Sequence, residues 1–378
     1  MKILLGLSGG VDSAVAAYLL KQQGYDVTCC FMRNWDSLAN QDINGNPDLN
    51  NNICPQETDY NDAKKVASLL ELPIIRVDYI EEYWQEVFQN FINEYEKGYT
   101  PNPDILCNKY IKFDHFLEYA LSNGFDMIAT GHYCRVEHNS ANSFLIRGLD
   151  NNKDQSYFLA QISQKALSKV LFPLGELTKP EVRKIALDLN FSIAEKKDST
   201  GICFIGERNF RQFLNNYLPA QKGKIINIDT NTVVAEHIGI SYYTIGQRKG
   251  LNIGGLGGPY FVVGKDVGAN ILFVSNQDSD YWLDSNSCLV EDVNWFNDSE
   301  LSVTSAKFRY RQKDVAVSLK KLNDDLYLVS YLGAKAVTLG QQAVFYNGDY
   351  CLGGGVIKAV FKDGIEIADL ISKKRGEK

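Results

Sequence analysis

The sequence predicts an α/β protein: a doubly wound parallel sheet, followed by a small β-rich central unit and a C-terminal β-barrel. Two observations predict it. In the first half, short apolar runs alternate with segments of helical period, as strands joined by crossover helices do. After about residue 205 the helical period gives way to short, evenly spaced strands separated by Gly, Asn and Asp turns.

Taken in order, "KILLGL" is a buried strand and "SAVAAYLLKQQG" a helix that ends at Gly24. "DVTCCFM" is a second strand, and "DINGNPDLNNN" a polar loop without period. "DYNDAKKVASLLEL" is a helix with the apolar stripe Val66, Leu69 and Leu70, and "PIIRVDY" is a strand. "EEYWQEVFQNFINEYEKG" is a helix, and "PNPDILCN" a Pro-rich loop. The helix "FDHFLEYALSNG", the strand "FDMIATGH" and the helix "KPEVRKIALDLN" complete the α/β part. A short helix "RNFRQFLNNYL" and a linker "PAQKG" lead to the strands, among them "SVTSAKFRYR". The predicted units are 1–205, 206–277 and 278–378.

The 378 residues exceed one ordinary core. With 45% hydrophobic and 22% charged residues the chain is globular rather than disordered. No apolar run approaches a membrane span, and "MKILLGL" starts on a strand without a signal-peptide layout, so cytoplasm is the expected compartment and no membrane partner is expected. The net charge of −7 disfavours non-specific nucleic-acid binding, so any nucleic-acid role requires local basic patches. None of the eight cysteines forms a C-x-x-C pair, so no metal site is expected.

The string that carries chemistry is "GLSGGVDS", residues 6–13. A Gly-rich turn between strand and helix presents unpaired N–H groups to an anion. Gly9 and Gly10 permit close approach of a phosphate, and Ser8 and Ser13 add hydroxyl donors. Asp12 is unusual beside an anion unless it orients the loop or helps to hold Mg²⁺. No Lys follows as in a Walker A loop, and G-x-G-x-x-G is absent. A capped tight turn is the plain alternative.

"GLSGGVDS" resembles the pyrophosphate loop of ATP pyrophosphatases, which cleave ATP between the α and β phosphates and activate their substrates as adenylates. Seven further strings narrow the resemblance: "FMRNWD", "TPNPDILCNKYIKF", "ATGHY", "LIRGLDNNKDQSYFL", "LFPLGELTKPEVRKIA", "KKDSTGICFIGERNFRQFLNNYLPAQKGKI" and "YTIGQRKGLNIGG". In this order they resemble the bacterial-type tRNA-specific 2-thiouridylases, from residue 2 to about 360. The resemblance implies an ATP-pyrophosphatase catalytic domain, a central tRNA-binding domain and a β-barrel. It implies replacement of O2 of the wobble uridine (position 34) by sulfur, with ATP, transient Mg²⁺ and a persulfide supplied by a sulfur-donor relay or cysteine desulfurase. The tRNA substrates would be those for Lys, Glu and Gln.

Cys107, in "NPDILCNKYIKF", reads either as an inert loop thiol or as a partly exposed thiol whose pKa Lys109 and Lys112 lower. The resemblance makes it the nucleophile or resolving thiol, with Asn102, Pro103 and Asp104 at the target base. Cys203 reads either as a core thiol in "ICFI" or as a thiol made electropositive by Lys196 and Lys197. The resemblance makes it the persulfide carrier, and the pair would close a transient disulfide. Cys29 and Cys30 read as core thiols in a strand, and Cys54, Cys134, Cys288 and Cys351 have no reactive context.

The resemblance extends the ATP site to Gly6, Leu7, Ser8, Gly9, Gly10, Val11, Asp12, Ser13, Met32 and Gly131, with Asp12 catalytic. Core packing would explain Met32 equally, and a turn would explain Gly131. His132 is either a satisfied core histidine or, by the resemblance, a neighbour of the reacting base. Lys153, Asp154 and Gln155 form either a solvated loop or a tRNA contact. In "SAKFRYRQKD" a period of two puts Lys307, Arg309, Arg311 and Lys313 on one strand face, which solvent or phosphate explains alike. The resemblance places tRNA contacts at Arg309, Tyr310 and Gln341, with Gln342 next to it. Two rivals share the loop: a synthetase that adenylates a small acid, and a non-catalytic ATP sensor. The order of persulfide attack and sulfide release stays open.

Overall fold

The computed structural model describes residues 1–44, 46, 55–198, 201, 203, 205, 209–254, 258–297 and 302–376. Among the described residues, seven strands precede residue 172: β1 (Lys2–Gly6), β2 (Asp26–Arg33), β3 (Ile74–Asp78), β4 (Met127–Ala129), β5 (Cys134–His138), β6 (Ser143–Arg147) and β7 (Val170–Leu171). Five of them form a parallel sheet in the order β3-β2-β1-β4-β7. The side-chain period of two divides β1 between two cores. Ile3, Leu5 and Leu7 face one layer, with Val11, Val15, Val182 and Ala186; Leu4 faces the other, with Met32, Phe88, Ile111 and Phe116. The first layer holds the helices α1 (Val11–Gln22), α2 (Pro55–Leu69) and Lys179–Asp188. The second holds the continuous helical runs 80–96 and 103–122. Burying each large apolar side chain contributes about 1.5–3 kcal/mol, which is why both layers stay closed over the sheet.

Strand order reverses between β1 and β4. In a doubly wound sheet the carboxyl ends of the strands flanking that point frame the ligand crevice. Loop 7–10 and segment 130–133 stand there.

Beyond the α/β part, β8 (Gly223–Asn227), β9 (Thr232–His237), β10 (Phe261–Asp266) and β11 (Ile271–Ser275) form a sheet in the order β10-β11-β8-β9. Six antiparallel strands follow: β12 (Asp284–Trp295), β13 (Ser305–Lys307), β14 (Val315–Asn323), β15 (Leu326–Lys335), β16 (Gln342–Asn347) and β17 (Tyr350–Lys362). They run β12-β15-β14-β13-β16-β17, and β17 pairs back onto β12, which closes a barrel. Gly353 sits at that closure with φ +131°, and a Cβ there would lie 1.9 Å from the Asn294 carbonyl.

Two expectations need correction, and one element was missed. "PNPDILCN" is not a loop: Pro103 begins a helix, at the position where its missing N–H costs nothing. "SVTSAKFRYR" is a strand only over Ser305–Lys307, because the chain turns and Arg311 takes φ +65°. The hairpin β5–β6 escaped the sequence reading, since its partner is remote: β6 pairs with β17, Leu145 opposite Cys351.

Candidate active site

The Gly-rich loop is shaped by its own hydroxyls. Ser13 Oγ accepts from the Ser8 N–H at 3.1 Å and donates to the Gly10 carbonyl at 3.1 Å, and the two serine hydroxyls meet at 3.1 Å. Gly9 takes φ +76°, and a Cβ there would strike the Asp59 carbonyl at 2.2 Å. Gly10 precedes α1 without a side-chain cap, so the first-turn N–H groups of α1 remain available to an anion. Gly131 closes the crevice from β4: a Cβ would lie 2.9 Å from the Ser13 nitrogen. Met32 is buried, and its methyl packs 3.1 Å from where Gly6 would carry a Cβ.

Asp12 accepts hydrogen bonds from the Tyr133 hydroxyl at 2.7 Å and from Lys179 Nζ at 2.7 and 2.9 Å. Lys179 also reaches Asp198 Oδ1 at 2.7 Å. Lys153 at 2.6 Å and Arg183 at 2.8 Å join it there. Burial works to raise the Asp198 carboxyl, but Lys153 and Lys179 hold it well below the usual range. Lys196 Nζ lies 3.1 Å from the Gly9 carbonyl and pairs with Asp59 at 2.8 Å and Asp62 at 2.9 Å. No motif in the sequence points to Lys179, and sequence order sets Lys196 beside Cys203. Lys196 belongs instead to the Gly9 loop.

A second cluster holds the thiols. Cys107 Sγ lies 3.6 Å from Cys203 Sγ and donates toward it. The Cys203 N–H donates to Asp104 Oδ1 at 3.0 Å, and the Tyr83 hydroxyl donates to the Cys203 carbonyl at 2.7 Å. Cys107 is not the partly exposed, acidified thiol expected; it is fully buried in the helical run 103–122. Burial, with the adjoining Cys203, pushes it well up. The acidified thiol is Cys203, lowered by the hydrogen bond from Cys107 and by the Lys112 ammonium. Its cation is thus Lys112 rather than Lys196 and Lys197. We expect Lys112→Met to move the alkylation midpoint of Cys203 to higher pH, since an adjacent ammonium favours the thiolate and its loss leaves burial to oppose it. At neutral pH the thiolate fraction, and with it the alkylation rate, then fall. An unchanged pH profile would show that Lys112 does not hold the thiolate.

Segment 130–133 joins the clusters. Tyr133 touches Asp12, while His132 is buried, accepts or donates at 2.8 Å with Thr130 Oγ1, and is kept neutral by burial and by Lys112. Gln155 fixes this segment by bonding both backbone groups of Tyr133. Asp154 is buried too, its Oδ1 taken by the N–H groups of Gly148 and Ser156. These two residues are therefore not a solvated loop. Asn102 and Pro103 start the Cys107 helix.

The four cations of 307–313 do not share a face. Lys307 turns toward Asp154 and Asp314, and Arg309 donates to the Ile245 carbonyl at 2.9 Å and Thr338 Oγ1 at 2.8 Å. Arg311 and Lys313 are exposed. Tyr310 packs on Phe158, ring centroids 4.4 Å apart, and Gln341 donates to the Thr100 carbonyl at 2.6 Å. Gln342 is buried against Gln161. Cys54 lies outside the described residues.

Three family profiles match the chain: "tRNA methyl transferase HUP domain" over 1–207, "tRNA methyl transferase PRC-barrel domain" over 211–276 and "Aminomethyltransferase beta-barrel domain" over 285–357. The tRNA-specific 2-thiouridylase MnmA of Mycoplasma capricolum subsp. capricolum is 57% identical over 372 residues, covering 96% of this chain and 99% of its own. The chain belongs to the tRNA-specific 2-thiouridylase family. The protein of the same name from Mesoplasma florum is 55% identical over 370 residues, 95% of this chain and 99% of its own. The two clusters differ in chemistry: one is a Gly-rich loop at an uncapped helix start, and the other holds a pair of thiols. Among the described residues, no helix is long and apolar enough to cross a membrane.

Proposed function

We propose that the chain thiolates C2 of the wobble uridine of tRNA by adenylation followed by sulfur transfer from a cysteine persulfide. Membership of the family makes it a tRNA-uridine sulfurtransferase that uses ATP. The observation that carries the finer reading is the pairing of an anion-binding loop with two thiols 3.6 Å apart.

Uracil O2 attacks the α-phosphorus of ATP. The O2–P bond forms, the bond to the β-phosphate oxygen breaks, and the N3 proton is lost. Pyrophosphate leaves into the loop of Ser8–Ser13, where N–H groups and hydroxyls receive its charge. Asp12 is the loop carboxylate that would hold a Mg²⁺ there, and the ion's charge would offset that of the leaving group. C2 now bears AMP, a far better leaving group than oxide. Cys203, the more acidic thiol, takes sulfur from a donor protein as a persulfide. In one route its terminal sulfur attacks C2 and expels AMP, and Cys107 then attacks Cys203 Sγ. In the other, Cys107 attacks first and releases sulfide, which attacks C2. Both end, once N3 regains its proton, in 2-thiouridine and a Cys107–Cys203 disulfide, which a dithiol reductant must reopen.

The test is pyrophosphate and AMP release with and without unmodified tRNA, beside 2-thiouridine formation. Release that requires tRNA and accompanies thiolation supports the reading. Release without tRNA points to a synthetase, and ATP binding without turnover to a sensor.

The same reading assigns tRNA contact to local patches, because the net charge is negative. Arg311→Ala with Lys313→Ala is expected to weaken tRNA binding and reduce the log–log salt slope by about one to two. Unaltered affinity and slope would remove this turn from the tRNA interface.

A further inference from the structure

We propose that Lys265 and Gln341 are positioning residues for the target uridine. One from the central sheet and one from the barrel, they hold the segment 97–100, whose place sets where Asn102 and Asp104 stand. The proposal rests on the reading of Asn102, Pro103 and Asp104 as the residues that meet the base.

Segment 97–100 joins the helical run 80–96 to Pro101, and both β-units grip it. On the side of the central sheet, the Ser241 hydroxyl donates to the Tyr95 carbonyl at 3.0 Å. Lys265 Nζ, near the end of β10, donates to the Gly98 carbonyl at 2.8 Å. Burial brings the Lys265 ammonium down to about 8. The carbonyl groups at the end of a helical run offset part of the cost of keeping a cation there. On the side of the barrel, the turn 339–341 takes both backbone groups of Thr100. The Thr100 N–H donates to the Leu339 carbonyl at 3.0 Å, and Gln341 Nε2 donates to the Thr100 carbonyl at 2.6 Å. The turn is itself fixed to β17: the Gly340 N–H donates to the Ile357 carbonyl at 3.0 Å, and the Ile357 N–H to the Gln341 carbonyl at 2.8 Å.

From Thr100 onward the chain has little freedom. The rings of Pro101 and Pro103 fix φ, and a residue that precedes a proline is pushed to extended backbone. Thr100 and Asn102 both precede one, and Asn102 takes φ −118° and ψ 92°. Both prolines are buried. A displacement at Thr100 therefore passes to Asn102 instead of being absorbed by backbone rotation. Asn102 stands before the helical run 103–122 without spending its side chain on a cap. Its amide, with one acceptor and two donors, is left to pair with the N3–H and a carbonyl oxygen of uracil. Two residues on, Asp104 accepts from the Cys203 N–H at 3.0 Å. Gln341 thus acts on the uridine through Thr100, and Lys265 through Gly98.

The experiment uses the full chain and unmodified tRNA. Amide hydrogen exchange of the free protein, read by mass spectrometry on peptides covering 97–106, reports the grip. Filter binding gives tRNA affinity, and single-turnover pyrophosphate release at saturating tRNA and ATP gives the rate. Lys265→Met and Gln341→Met keep the side-chain stems and remove the donors. Each is expected to speed exchange in 97–106 several-fold while tRNA affinity stays unaltered. Each is also expected to slow pyrophosphate release by about tenfold or more, as a small misplacement of a reacting group does. Gln341 lies half-buried in a turn, so its variant carries the test if Lys265→Met does not fold. Unaltered exchange in 97–106 overturns the proposal. So does an unaltered rate at saturating tRNA; if affinity falls instead, Gln341 is a direct tRNA contact. Absence of tRNA-dependent release from the unaltered protein overturns the underlying reading of the site, a failure separate from either of these.

Discussion

Replacing Cys203 by serine will leave tRNA without 2-thiouridine, and replacing Cys107 by serine will do the same, while pyrophosphate release continues. A hydroxyl cannot carry a persulfide, so the Cys203 variant has no sulfur to give. Without Cys107 the sulfur–sulfur bond at Cys203 has no internal attacker. The attacker must be near: a disulfide needs about 2 Å, and the sulfurs already lie at 3.6 Å. Adenylation uses neither thiol, which is why the first half-reaction should survive both changes. The remaining described cysteines make the controls. Burial pushes Cys29, Cys30, Cys288 and Cys351 up to about 12, and Cys134 well above its usual value. None of them is a thiolate near neutral pH. Mass spectrometry of digested tRNA from all eight Cys→Ser variants decides the matter. Full thiolation by either the Cys107 or the Cys203 variant, or loss centred on Cys134, would overturn the assignment of the two thiols.

The parallel sheet was legible because its strands alternate cleanly: Leu4 faces one layer and Ile3 and Leu5 the other, as a period of two requires. The place of the loop "GLSGGVDS" between a strand and a helix was legible because an apolar run ends at its glycines and a helical period begins after them. What escaped depended on distant partners. Cys107 looked exposed because two prolines precede it, yet Pro103 opens a helix and Tyr83, Phe113 and Phe116 belong to the same core. Lys112 and Lys196 are both a few residues from a candidate thiol, and only the fold tells which of them reaches Cys203. The alternation in "SAKFRYRQKD" predicted one cationic face, but a positive φ at Arg311 ends the period on which that prediction stood. Lys179 lies in an ordinary helix start, and nothing in "TKPEVRK" announces a contact with Asp12. The hairpin Cys134–Arg147 carries no local mark of joining a barrel whose next strand begins at Tyr350.

Asp12→Ala will slow tRNA-dependent pyrophosphate release by about 100- to 1000-fold, the usual loss when one pre-placed group that receives developing charge is removed. The size follows from what Asp12 holds. Its carboxylate is the meeting point of the Tyr133 hydroxyl and the Lys179 ammonium, so it ties the β4 segment and the Lys179 helix to the first turn of α1. Without it the cation loses its place beside the loop, and Tyr133 loses its acceptor. The fold should persist, because the side chain is one-third exposed and the one core side chain bonded to it, Tyr133, stays packed by its ring. Asp12→Asn separates the two roles. It keeps an oxygen for Tyr133 but gives up the charge that holds Lys179, so it should lose nearly as much as alanine. Ser13→Ala probes shape alone: its hydroxyl accepts from Ser8 and donates to Gly10, and the loop opens without it. Single-turnover pyrophosphate release, with circular dichroism to verify folding, distinguishes these cases. If Asp12→Ala releases pyrophosphate at the unaltered rate, the loop does not receive the leaving group, and the adenylation site lies elsewhere on the chain.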